Sequence, residues 1–136
     1  MAQAFLHTPF ITPAEQDRIV SAWFIRQRHH WCMRALRDLI YRDPETAWAI
    51  VVRLVLEAPD NSILLNVAGG PLEELLTRHG ARLVRRAEQL ARVSREFQYA
   101  LKNVWLPDSH SSVTRRLETL GCHRLVLTES ERQFLS

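Results

Sequence analysis

The stretch whose reading decides the fold is Ala68-Gly69-Gly70-Pro71-Leu72-Glu73-Glu74-Leu75-Leu76-Thr77-Arg78-His79-Gly80. Two glycines followed by proline predict a turn that opens a helix, because proline is tolerated in a first turn. An amphipathic helix is expected over residues 72–79. Gly80 is placed to stop it in the left-handed conformation. The same stretch carries a local group of titratable side chains, Glu73, Glu74 and His79.

Working outward, helix signals follow one another with short interruptions. Thr12-Pro13-Ala14-Glu15 is a capping box with proline at the first helical position, and Ile19, Val20, Trp23 and Phe24 follow at helical spacing. A second helix is expected over residues 31–41, with Trp31, Ala35, Leu36, Leu39 and Ile40 inward. Between the two lies a polar corner, Arg26-Gln27-Arg28-His29-His30, readable as a helix end or a continuation. Asp43-Pro44 restarts the chain as N-cap and first residue, and Ala47, Trp48, Val51, Leu54, Val55 and Ala58 line one broad face. Pro59-Asp60-Asn61 ends that helix, and a short apolar one is expected over residues 62–67.

Beyond Gly80 the inward set is Leu83, Val84, Ala87, Leu90 and Ala91, after which Ser94 can cap a helix carrying Phe97, Tyr99, Ala100, Leu101 and Val104 and ending near Trp105. Residues 106–112 read as a linker or long loop. Val113, Leu117 and Leu120 then predict a helix stopped by Gly121. Leu125-Val126-Leu127 is readable as a brief strand or as a segment docked on the core, and Thr128-Glu129-Ser130-Glu131 is a further capping box. The expected fold is all-α, a compact bundle or short helical solenoid of about six to eight helices. Residues 1–136 are expected to form one domain, with a core near residues 12–106 and an appendage near 107–136.

Composition agrees with a folded helical chain. With 136 residues, 46% apolar and 24% charged, the protein is long enough to bury a core, and its 4 glycines favour regular elements over loops. Two cysteines, Cys32 and Cys122, are too few and too far apart for a disulfide framework or zinc site. No apolar run reaches membrane-spanning length, and the first residues lack a signal-peptide pattern, so the cytoplasm is expected. Net charge is +3, and arginine dominates the cations, Lys102 being the sole lysine. That excess permits an acidic partner without requiring one.

These features resemble a small, uncharacterised bacterial family, a domain of unknown function. Its members carry a helix after Asp-Pro-Glu with tryptophan four residues past the proline, then a core of the form A-G-P-L-E-(D/E)-L-L-x-x-H-G, then an aromatic-rich helix ending in Val-Trp. Here the matching residues are Asp43-Pro44-Glu45, Trp48, Gly70-Pro71-Leu72-Glu73-Glu74-Leu75-Leu76, His79-Gly80, Phe97 and Val104-Trp105. The resemblance spans roughly residues 14–105. It implies a helical fold and no particular activity.

Candidate sites fall into three groups. On an unbroken helix Glu74 and His79 stand about 140° apart, so they share no face, whereas Glu74 and Arg78 make an ordinary helical ion pair. The second group is Arg26, His29 and His30, with Cys32 nearby. Adjacent histidines point about 100° apart and a third ligand is lacking, so no metal is expected there. No cofactor is expected either, since Gly69-Gly70 lacks the Lys-Ser/Thr continuation of a phosphate-binding loop. The third group is Arg82, Arg85, Arg86 and Arg92, which fall within about 120° of a helical wheel and could lie along phosphates.

The leading expectation is a non-enzymatic module that binds another protein through a helical surface, using Glu73, Glu74, His79, Arg26, His29 and His30. An immunity protein that neutralises a bacterial toxin is one concrete form. The first alternative is a nucleic-acid backbone binder using the four arginines. The second is a hydrolase using Glu73, Glu74 and His79, which requires those side chains to converge on one pocket.

Overall fold

The computed structural model describes residues 7–25 and 30–135. Helices dominate in the order α1 (Pro13–Trp23), α2 (His30–Arg42), α3 (Pro44–Glu57), α4 (Asn61–Val67), α5 (Glu73–Ala91), α6 (Arg95–Leu101), α7 (Ser112–Thr119) and α8 (Glu129–Leu135). A two-residue strand β1 (Trp105–Leu106) pairs in parallel with β2 (His123–Arg124). The architecture is all-α with a minimal sheet.

The starts of the helices follow the caps. Thr12 Oγ1 accepts the Glu15 N–H while Glu15 Oε1 accepts the Thr12 N–H, closing the capping box of α1. Asp60, Ser94 and Ser111 cap α4, α6 and α7 in the same way, each accepting an N–H three residues on. Each such cap contributes about 1 kcal/mol. At the C-terminal end, Thr128 and Glu131 form the last capping box.

α3 is the central element and packs against α1, α2, α4, α5 and α6. Its Ala47, Ile50, Val51 and Leu54 are fully buried, and Trp48 meets Phe97 of α6 edge-to-face at 5.7 Å. Burying one such aliphatic side chain stabilises the fold by about 1.5–3 kcal/mol. Leu83, Val84 and Ala87 of α5 and Phe97, Ala100 and Leu101 of α6 complete the same core. Leu90 and Ala58 pack at its edge.

The Gly69-Gly70-Pro71 stretch does not turn the chain. It is a π-helical turn, Ala68–Leu72, that joins α4 to α5 without interruption, with the Glu73 N–H bonded to the Ala68 carbonyl five residues back. Proline explains the widening. Pro71 has no N–H, and its ring would collide with the carbonyl four residues earlier in a regular α-helix. An i→i+5 turn relieves that collision and keeps the chain helical.

Gly80 does not stop the helix either, since α5 continues to Ala91. Among the described residues the positive-φ glycine is Gly121, which terminates α7 as expected, so Gly80 is not left-handed. Its missing side chain serves packing instead: a Cβ there would lie 2.9 Å from Val113 Cγ1 and 3.7 Å from Leu117 Cδ1 of α7. The only break in α5 is a kink at His79, with φ −125° and ψ 26°.

Three smaller expectations are also corrected. Trp31 lies on the outer face of α2, 41% exposed, with the Arg18 guanidinium 5.6 Å from its ring. α6 ends at Leu101, and Trp105 belongs to β1, 48% exposed. The strand after α7 is His123–Arg124 rather than the Leu125-Val126-Leu127 run, in which Leu125 and Val126 are exposed and do not dock on the core.

Candidate functional site

α2 and the α4–α5 junction enclose an open cleft of about 1130 Å³. Its sides come from Met33, Arg34 and Arg37 of α2 and Glu73, Glu74, Thr77 and Arg78 of α5, with Gly69, Gly70 and Pro71 also at its border. Trp23, Leu36 and Ile40 supply its apolar lining. The π turn creates this border. Because Pro71 forces the widened turn at a glycine pair, the helix presents bare backbone where side chains would otherwise project.

The electrostatics of the cleft centre on Glu74. Its carboxylate is 3.6 Å from Arg37 Nε and 3.3 Å from Arg78 Nε, so it bridges the two helices. Arg78 in turn lies 4.3 Å from the centre of the Tyr41 ring. Arg37 is largely solvated, so these pairs position side chains more than they stabilise the fold.

Glu73 and His79 are engaged elsewhere. Glu73 Oε1 accepts the backbone N–H of Trp105 at 2.7 Å, which holds β1 against the start of α5. His79 Nε2 lies 2.6 Å from the Ile40 carbonyl near the C-terminal end of α2. That carbonyl would normally receive the N–H four residues on, but residue 44 is proline and has none. His79 supplies the missing donor, with the hydrogen on Nε2. The three titratable groups of the central stretch therefore serve three different partners. Only Glu73 and Glu74 border the cleft.

Asp43, unlike Glu73 and Glu74, is a buried carboxylate. It accepts from Thr46 N at 3.2 Å, Thr46 Oγ1 at 2.6 Å, Phe10 N at 2.8 Å and His7 Nε2 at 2.6 Å. Burial pushes its carboxyl up, but the bonds from Thr46, Phe10 and His7 outweigh that and hold it below the ordinary carboxylate value. One side chain thus caps α3 and ties the segment before α1 to the core.

Of the remaining candidates, Arg26 and His29 lie outside the described residues, and His30 is described only as the first residue of α2. The arginine stripe is divided. Arg86 pairs with Glu45 of α3, while Arg82 and Arg85 remain exposed on α5 and Arg92 at its C-cap. Glu88, between them, is bonded by Arg116 of α7. Cys122 is buried, and burial pushes its thiol up to about 12, so it is not a thiolate at neutral pH. Among the described residues no group of three His, Cys, Asp or Glu side chains could hold a metal ion, and no helix is long and apolar enough to cross a membrane.

Sequence reasoning passed over Arg34, Arg37, Met33 and Trp23 as site residues. The spacing of Arg34 and Arg37, three apart on the polar side of α2, was the available signal, but nothing in the sequence places that side opposite Gly69-Gly70.

Comparison with curated proteins and with solved structures finds no match. The sequence pattern of a family of unknown function, DUF6869, matches residues 25–124, a span that contains α2 through β2 and every cleft residue except Trp23, and the chain belongs to that family.

Proposed function

We propose that this protein is a non-enzymatic binding module that captures another protein in the cleft between α2 and α5. The observation that carries this reading is the cleft itself: a large concavity, bordered by bare glycine backbone and charges of both signs, on a well-packed helical body. Concave sites with mixed polar and apolar lining are where partners and ligands are held. Capture of a bacterial toxin by a cytoplasmic immunity protein is the concrete form. The hydrolase alternative draws no support from Glu73, Glu74 and His79, whose hydrogen bonds and ion pairs run to Trp105, to Arg37 and Arg78, and to Ile40.

The test is capture of partners from native lysate by the tagged chain, with and without nuclease, beside a Gly70→Leu variant that fills the cleft. A stoichiometric protein that survives nuclease and is lost with Gly70→Leu is the expected result. If that protein is toxic when expressed alone, co-expression with this chain restores growth. Capture that vanishes with nuclease and with charge reversal at Arg82 and Arg85 would replace this reading by the nucleic-acid one.

A further inference from the structure

The cleft carries more donors than its own acceptors satisfy. Arg34 and Arg37 of α2 and Arg78 of α5 bring three guanidiniums to a space that contains two carboxylates. One carboxylate, Glu73, is already bonded to the Trp105 N–H, and the other, Glu74, is shared between Arg37 and Arg78. The apolar wall also holds an unpaired donor, sealed from solvent. Trp23 is 4% exposed, and its indole N–H has no hydrogen-bond partner among the described residues. An unpaired buried donor is a standing cost to the fold, and natural structures keep few of them.

The glycine pair is the second anomaly. A Cβ at Gly69 or Gly70 would meet nothing within 4 Å beyond its chain neighbours, and neither residue has positive φ. At Gly69 alanine would fit and is a far better helix former. Gly70 precedes Pro71 within a helical turn, where a Cβ would meet the proline ring, but at Gly69 neither turn geometry nor internal packing calls for glycine. A surface without side chains does let another backbone approach closely.

We infer that the cleft receives an extended, acidic segment of a partner polypeptide, its main chain lying across Gly69-Gly70 and its carboxylates paired with Arg34 and Arg37. The inference rests on the protein-binding reading and names the chemistry of the partner. Guanidinium and carboxylate match in planar, two-bond geometry, which makes such pairs directional as well as charged. Glu74 holds Arg37 and Arg78 in place until a partner carboxylate competes for them. Glu73 and Glu74 oppose a polyphosphate, whose charges are closely and evenly spaced, while a peptide can place its acidic side chains on the α2 side alone.

The test is selection of a random decapeptide display library on the full chain, with parallel selections on Arg34→Glu/Arg37→Glu and Gly70→Leu variants. Enriched peptides are synthesised, labelled and titrated by fluorescence anisotropy at two salt concentrations. Peptides rich in Asp and Glu are expected, binding at least tenfold more weakly to each variant and more weakly at high salt. Should Gly70→Leu melt early, the charge reversal on exposed α2 residues still decides the matter. Enrichment of apolar or basic peptides that depend on Gly70 overturns the acidic partner and leaves protein binding standing. Selection that yields nothing dependent on Gly70, Arg34 or Arg37 overturns both. Displacement of the acidic peptides from those residues by a single-stranded oligonucleotide at lower concentration overturns the polypeptide in favour of nucleic acid.

Discussion

Two prolines in this chain sit before glutamates at helix junctions, and they do opposite things. At Asp43-Pro44-Glu45 the helix breaks: Asp43 leaves the helical region at φ −148° and its carboxylate catches the Thr46 N–H. At Gly70-Pro71-Leu72-Glu73 the helix runs on through a widened turn. The difference lies in the preceding residue. Asp43 offers an acceptor that satisfies freed donors of a new helix, so a break is inexpensive. Gly70 offers none, and retaining i→i+5 bonds is the better solution. The first junction is thoroughly satisfied, even its orphaned Ile40 carbonyl being met by His79. The second is bare and borders the cleft.

Substitutions at the two junctions and between them break or sharpen this contrast. The largest effect is expected at Asp43. Replacing it with alanine removes a cap and strands the buried donors of Thr46 and the part-buried N–H of Phe10, for a loss of about 2–4 kcal/mol in urea unfolding. Asp43 also sets an acid limit. Its folded pKa lies below the unfolded one, so its contribution is full above the ordinary carboxylate value and is lost as pH falls through the lowered folded value. Asp43→Asn keeps a capping oxygen and is expected to flatten this acid-limb dependence in melts between pH 7 and pH 2. An unchanged acid limb would show that Asp43 is not the group responsible.

His79→Ala leaves the Ile40 carbonyl unmet at the end of α2. A loss of about 1–2 kcal/mol is expected from thermal melts, with no change in partner capture beyond that of stability. Capture abolished in a chain that melts normally would return His79 to the binding site.

Gly80→Ala separates packing from backbone conformation. The added methyl meets Val113, and a net loss of about 1 kcal/mol is expected after the gain in helix propensity. Combined with Val113→Ala, the same substitution becomes neutral or stabilising if contact is the cause. A penalty that persists in the double variant would point to the backbone instead.

The smallest effects are expected at the second junction, and they are gains. Gly69→Ala stabilises by about 0.5–1 kcal/mol, since the space is open and φ is not positive, whereas Gly70→Ala gains less because its Cβ would meet the ring of Pro71. A loss at Gly69 would mean that it serves the π turn itself, and the contrast between the junctions would collapse.

Much of the fold was legible because it rests on local chemistry. Thr12, Asp43, Ser94 and the Thr128–Glu131 pair cap helices where their spacing indicates, and the periodic faces of α3 and α5 are the buried ones. The two misreadings in the central stretch share one physical origin. Glycine and proline report what the backbone is allowed to do, not what its surroundings demand. Pro71 permitted a turn, but its neighbours kept the helix. Gly80 permitted a left-handed stop, but the close approach of α7 used its missing side chain instead. Likewise the periodicity that buried Trp23 and Trp48 said nothing of whether a neighbour covers Trp31, which none of the described elements buries.

The sequence by itself determined an all-α chain, the start of most of its helices, its apolar faces and its family resemblance, because caps, periodicity and motif spacing act within a few residues. Only the tertiary structure decided that α4 and α5 are joined, that Glu73, Glu74 and His79 answer to different partners, and that Arg34, Arg37 and Trp23 meet the Gly69-Gly70 backbone around one cleft. Those outcomes depend on contacts between residues tens of positions apart, and such contacts exist only once the helices have packed.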